Sequence, residues 1–236
     1  MKNLVKLFVV IVIVALSSQS YAQRAGIILG LNLSNLNVKD DNNNISKDSN
    51  YRMNPGIHLG FVVDIPVYKF LSFETGLLIT TKGYKSENDL PSSTKEKISD
   101  YLFFIDLPLT IKGTIDLEAV KLYAGIGPYL SLGVYGIRVR YIDNPIKKDT
   151  TSHTIKWGSG GLYDQKRFDM GLTFGGGVEI GPVPIFLRVS YDLGLLNIAS
   201  YSTNGFSAKS GVLKISLGYM FRGKDKSSDH KKSRRR

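Results

Sequence analysis

Acidic and basic side chains stand inside stretches that are otherwise apolar. The acids are Asp64, Glu74, Asp106, Glu179 and Asp192; the bases are Lys112, Arg188 and Lys214, with Lys82 nearby. Two carboxylates across a sugar would be the machinery of a glycosidase. Here the acids are scattered over different stretches, each among bases on the same face, so ion pairing is favoured over acid–base work. His153 follows Ser152 and could serve as the base of a surface hydrolase. No oxyanion motif accompanies it. His58 reads as a hydrogen-bonded interior residue and His230 lies near the C-terminus. Gly175-Gly176-Gly177 is not followed by Lys-Ser/Thr, so it is no phosphate loop. The chain has no cysteine, which removes disulfides, thiolate metal sites and Cys nucleophiles. The expectation is a protein that is not an enzyme, with no catalytic, metal or cofactor-binding residues.

The elements that would position these charges are strands. Apolar and polar residues alternate with period two near residues 25–36, 55–66, 70–83, 102–113, 121–141, 168–180, 184–196 and 211–221. Connections 37–54, 84–101, 142–167 and 197–210 are long and polar, whereas 67–69, 114–120 and 181–183 are short. Long outside loops alternating with short periplasmic turns are the rhythm of an outer-membrane barrel. The seventh stretch puts Leu187, Val189, Tyr191, Leu193 and Leu195 on one face and Arg188, Ser190, Asp192 and Gly194 on the other. No charge falls on the apolar face of any stretch, as expected where lipid penalises one by ~2–4 kcal/mol near the midplane. The predicted fold is all-β: an eight-stranded antiparallel up-and-down transmembrane β-barrel. A soluble lipocalin-like barrel, its apolar face turned inward, is the rival; it has no reason to gather every long loop at one end.

Such a barrel is narrow enough for side chains to fill. The predicted lumen cluster is Asp64, Glu74, Asp106, Lys112, Glu179, Arg188, Asp192 and Lys214. Ion pairing is its expected role, with a proton or ion path as the alternative. Tyr51, Tyr68, Phe70, Tyr84, Tyr101, Tyr141, Tyr219 and Phe221 are candidates for the interfacial aromatic girdles. In the long fifth stretch the apolar phase flips at Gly136. Either a bulge lies there or the strand has left the lipid; the second is favoured, since Arg138 and Arg140 would then meet water.

Lys2 and Lys6, the apolar run 7–16 and Ser20-Tyr21-Ala22 form a signal peptide over residues 1–22, exported through the Sec pathway. The barrel would occupy 23–221. Residues 222–236 carry eight bases and two acids, so +6 of the formal +11 belongs to this basic, periplasmic, disordered tail. The tail either solubilises or touches anionic headgroups or a partner. A charge concentrated there does not indicate a nucleic-acid surface. Lys147, Lys148, Lys156 and Trp157, in the third outside loop, are the candidate partner contact.

The segments FIDLPLTIKG (104–113), LYAGIGPYLSLGV (122–134), FDMGLTFGGGVEIG (168–181), LRVSYDLGLLNI (187–198) and LKISLGYMF (213–221) resemble the PorT-type "porin family" barrels of Bacteroidota, as does GLNLSNL (30–36). The resemblance covers essentially all of 23–221 and departs from the family pattern in the basic residues after Phe221. It implies an outer-membrane location and a structural or interaction role, extending in one named member to type IX secretion and gliding. A surface adhesion or ligand-binding barrel acting through outside loops is the alternative, and an outer-membrane enzyme a third. Expected partners are outer-membrane lipid and lipopolysaccharide, the barrel-assembly machinery during biogenesis, and secretion-system proteins.

Overall fold

The computed structural model describes residues 24–39, 51–90, 94–144, 148–180, 183–200 and 207–221. The signal segment 1–22, the tail 222–236, Lys147 and the side chain of Tyr51 lie outside the described residues. Ten strands form one antiparallel sheet: β1 (Arg24–Lys39), β2 (Tyr51–Tyr68), β3 (Leu71–Lys82), β4 (Tyr84–Leu90), β5 (Thr94–Asp116), β6 (Val120–Asp143), β7 (Lys148–Thr154), β8 (Phe168–Ile180), β9 (Ile185–Gly194) and β10 (Ser207–Met220). Eight of them close a ring in the order β1-β2-β3-β5-β6-β8-β9-β10. Pairing of β1 with β10, from Gly26–Met220 to Lys39–Ser207, seals it. Closure matters because lipid cannot hydrogen-bond an open sheet edge.

Every predicted strand is present, and the alternation sorts its side chains as expected. Ile57, Leu59, Phe61, Leu187, Val189, Ile215 and Leu217 point outward and are exposed, while Asp64, Asp106, Asp192 and Lys214 are buried inside. Carrying the apolar face outward is what separates this barrel from the soluble rival.

Two predicted loops prove to be strands. β4 pairs with β5 from Lys85–Ser99 to Leu90–Thr94, and β7 pairs with β6 from Ile137–Thr154 to Asp143–Lys148. Both hairpins continue the wall beyond the lipid. β7 is exposed along its length, and the inner face of the β4–β5 hairpin buries polar Ser86, Glu96 and Asp100, so apolar/polar alternation disappears from a sequence that is still β.

The phase flip in β6 is a correction. Phe103 pairs with Tyr135 and Phe104 with Gly133, so Val134 is the extra residue of a bulge. Both Val134 and Tyr135 are therefore exposed, and every later side chain changes face. Arg138 consequently points inward and ion-pairs with the fully buried Asp100, instead of meeting water on the former lipid face. Tyr84 is likewise no girdle residue, because its hydroxyl accepts a hydrogen bond from Arg138 at 3.3 Å.

Aromatic rings fill the lumen opposite glycines on the neighbouring strand. Tyr123 pairs with Gly177, Tyr129 with Gly171, and Phe186 with Gly218. A Cβ at Gly218 would lie 2.0 Å from the Phe186 ring, and one at Gly177 would lie 2.6 Å from the Tyr123 hydroxyl. The absent side chain is the space the ring occupies.

Val189→Lys, on the lipid face, should lower stability by ~2–4 kcal/mol. Ser190→Asn, on the other face, should cost far less. Urea unfolding of the two variants in bilayers reads the difference; equal losses would contradict the assignment of faces.

Candidate functional site

Beside the Arg138–Asp100 pair near the outer mouth, charges inside the barrel form two chains of alternating sign. The periplasmic chain begins at Glu179, whose Oε1 lies 2.5 Å from Arg24, and Arg24 reaches Asp64 at 2.7 Å. Lys112 then joins Asp64 (2.8 Å) to Glu74 (3.1 Å), and Arg188 closes on Glu74 at 2.7 Å. The outer chain runs Asp169–Lys82–Asp106–Lys214–Asp192, with contacts of 3.3, 3.2, 3.2 and 2.6 Å. Ser131 adds a short hydrogen bond to Asp106, and the Tyr129 and Ser210 hydroxyls donate to Asp169. Burial of an ion costs several kcal/mol, recovered only when opposite charge and hydrogen bonds surround it. Every internal member of both chains has two opposite neighbours, which meets that condition.

Aromatic faces complete the neutralisation. Lys82 Nζ lies 4.9 Å from the Phe104 ring centre and 4.8 Å from that of Tyr129. Lys112 and Arg188 share Tyr123, at 5.2 and 5.5 Å. Ile28, Val62, Leu78, Phe186 and Met220 form an apolar cluster inside the barrel, on strands that also carry the charges.

His58 ties the two chains' surroundings together. The Asn32 amide nitrogen donates to the Ile57 and Thr81 carbonyls, so its oxygen must accept. His58 Nδ1, 2.6 Å from that oxygen, is thus the donor, and Nε2 accepts from Ser216 at 2.9 Å. A cavity of about 60 Å³ is bordered by His58, Glu74, Asp106, Arg188 and Lys214, with room for a few waters. Among the described residues, no group of three or more His, Asp or Glu side chains converges to hold a metal ion.

The outer mouth is capped by the chain between β7 and β8. Ile155 is buried against Leu102 and Phe104, and Trp157 packs edge-on to Phe104 with ring centres 5.6 Å apart. Gly133 makes the room, since a Cβ there would lie 2.5 Å from the Trp157 ring. Asp164 holds the cap, accepting from Arg138 at 3.1 Å and from the Lys156 amide at 2.8 Å. Hydrogen bonds to Asp100 keep the Arg138 pKa above even its ordinary high value. Gln165 bridges to Ala199, which joins the cap to the segment before β10.

All eight predicted lumen residues therefore sit inside and take part in ion pairs. Glu179 and Arg188 stand on adjacent strands but pair elsewhere. Arg24 and Asp169 escaped the prediction although both share the parity of lumen residues; each stands at the very start of its strand. The four candidate partner residues divide. Lys148 and Lys156 are exposed, Trp157 is half-buried in the cap, and Lys147 lies outside the described residues. His153 is 3.7 Å from Asp164.

A family described as outer membrane protein beta-barrel domain matches residues 18–200. The chain belongs to this family. It is an outer-membrane β-barrel protein, and the apolar belt is its lipid contact. Among solved structures it is similar to Ail, the attachment invasion locus protein of Yersinia pestis, at 16% identity over 84% of this chain and 98% of that one, with a TM-score of 0.34. It is similar also to Neisserial surface protein A (14%, 84% and 97%, TM-score 0.38) and to OprG of Pseudomonas aeruginosa (12%, 85% and 94%, TM-score 0.44). No curated protein matches.

Lys112→Met should cost up to ~3–5 kcal/mol, because it removes the cation between two buried carboxylates and leaves Asp64 with Arg24 alone and Glu74 with Arg188 alone. Glu179→Gln, at the end of the chain, should cost clearly less. The midpoint of the heat-modifiable gel shift compares them; equal midpoints would show that the charges do not act as a connected chain.

Proposed function

We propose that this protein is a sealed outer-membrane barrel that works as a structural and interaction element, not as a pore or an enzyme. The observation that carries this reading is the lumen itself: two ion-pair chains and an apolar cluster occupy it, and residues 155–167 lie across its outer mouth. What remains for partners is the outside surface made by the β4–β5 and β6–β7 hairpins and the cap, where Lys148 and Lys156 are exposed. On this reading lipopolysaccharide surrounds the outer rim. The chain is exported by the Sec pathway through segment 1–22, inserted by the barrel-assembly machinery, and leaves its basic tail in the periplasm.

Planar-bilayer recording tests the sealed lumen. Purified wild-type barrel should give no steady ohmic steps, whereas sustained open levels would sink the proposal.

The PorT-type resemblance extends the reading to an accessory role in type IX secretion and gliding. Deleting the gene should then reduce secreted cargo and gliding. Unchanged secretion would remove the accessory role and leave the sealed barrel intact.

A further inference from the structure

The two lumen chains are not charged alike. Glu179–Arg24–Asp64–Lys112–Glu74–Arg188 holds three carboxylates and three cations. Asp169–Lys82–Asp106–Lys214–Asp192 holds three carboxylates and only two ammoniums, all of them buried. The neighbouring Asp100 has its own cation in Arg138. Among the described residues, the outer chain therefore keeps one negative charge in excess. That excess is least satisfied at Asp169, which is fully buried. Lys82, Tyr129 and Ser210 all bind its Oδ2, at 3.3, 3.1 and 2.7 Å. Its Oδ1 has no hydrogen-bond partner among the described residues. Asp169 also borders a cavity of about 10 Å³, together with Ser34, Lys82 and Ser210, room for one particle the size of a water.

We infer that this small cavity is a binding site for one monovalent cation of sodium size, held on Asp169. The groups around it offer lone pairs. The Ser34 hydroxyl donates to the Asn54 carbonyl at 3.1 Å, and the Ser210 hydroxyl donates to Asp169, so both protons are engaged and both oxygens are left as acceptors. The Lys82 ammonium is engaged too, by Ser131, Asp106 and the other oxygen of Asp169. Leu102 and Phe104 stand on the same cavity, and beside apolar walls an unbalanced charge is costly. A water there would hydrogen-bond Oδ1 and leave the charge unbalanced; a cation answers both needs. Asp169 is the one acid among the residues that border the cavity. A single carboxylate among neutral oxygens matches a hard ion of single charge, whereas calcium sites gather more carboxylates and softer metals take nitrogen or sulfur. With the ion bound, the outer chain alternates from end to end and holds three charges of each sign, like the periplasmic one.

The inference rests on the count and placement of lumen charges and not on the proposed cellular role, so conductance and secretion assays have no bearing on it. The full chain in nonionic detergent is melted by circular dichroism at fixed ionic strength and pH, with sodium chloride replacing N-methylglucamine chloride in steps. Sodium should raise the wild-type melting temperature by several degrees, and the rise should follow the binding curve of one site on the folded state. Asp169→Asn should lose the shift, while Glu179→Gln, in the balanced chain, should keep it. Asp192→Asn evens the charge from the far end of the outer chain without bordering the cavity, and should cut the shift several-fold. It reads the same site should Asp169→Asn fail to fold. Equal wild-type melting temperatures in the two salts would overturn the inference. So would a shift that Asp169→Asn or Asp192→Asn retains in full, the mark of an adventitious ion only. A melting temperature indifferent to sodium that climbs as pH falls would also overturn it, since a proton would then balance the chain.

Discussion

A charge inside a narrow barrel must find its counter-charge within the wall. Lipid lies outside and the lumen holds little water, so an unpaired ion there has neither solvent nor partner. This requirement accounts for the main features of the interior. It spaces acids and bases along alternate positions of different strands, so that they interleave as Glu179–Arg24–Asp64–Lys112–Glu74–Arg188 and Asp169–Lys82–Asp106–Lys214–Asp192. It also puts glycines on β8 and β10, because two chains of long side chains and three rings need a wall that gives up its own volume.

The two faces of each strand thus answer to different solvents. Outward, the rule is negative: no charge and no backbone edge. Inward, each polar group needs a named partner, and His58, held between Asn32 and Ser216, shows how specific that becomes. A single-residue slip would exchange the faces. The Val134 bulge performs that exchange deliberately, above the lipid, and turns Arg138 towards Asp100.

Much of this was legible in the sequence because lipid imposes period two on every spanning strand. The eight strands, the lipid face and the eight lumen charges all follow from parity. The β4 and β7 hairpins did not, since polar residues stand on both faces there and the apolar/polar pattern is lost. The bulge left only an ambiguous phase flip, which geometry alone could resolve. Arg24 and Asp169 obey parity but stand where a strand merges with a polar segment. Trp157 looked like a surface contact because a long loop gives no periodicity; its pocket, floored by Gly133 and walled by Phe104, exists only after the barrel closes.

The long β5–β6 hairpin has a consequence for the order of assembly. Its pairing runs from Asp116–Lys121 out to Lys95–Asp143, so each contact grows from a tight turn between residues close in sequence. The β1–β10 seam joins Gly26 to Met220, near opposite ends of the chain. Loop-closure entropy rises with the length closed and long-range pairings form slowly. The hairpin is therefore the natural nucleus of the wall and the seam its final step. Closure is timed by the last partner to arrive, because β10 cannot complete its seam with β1 until the strands between them have paired.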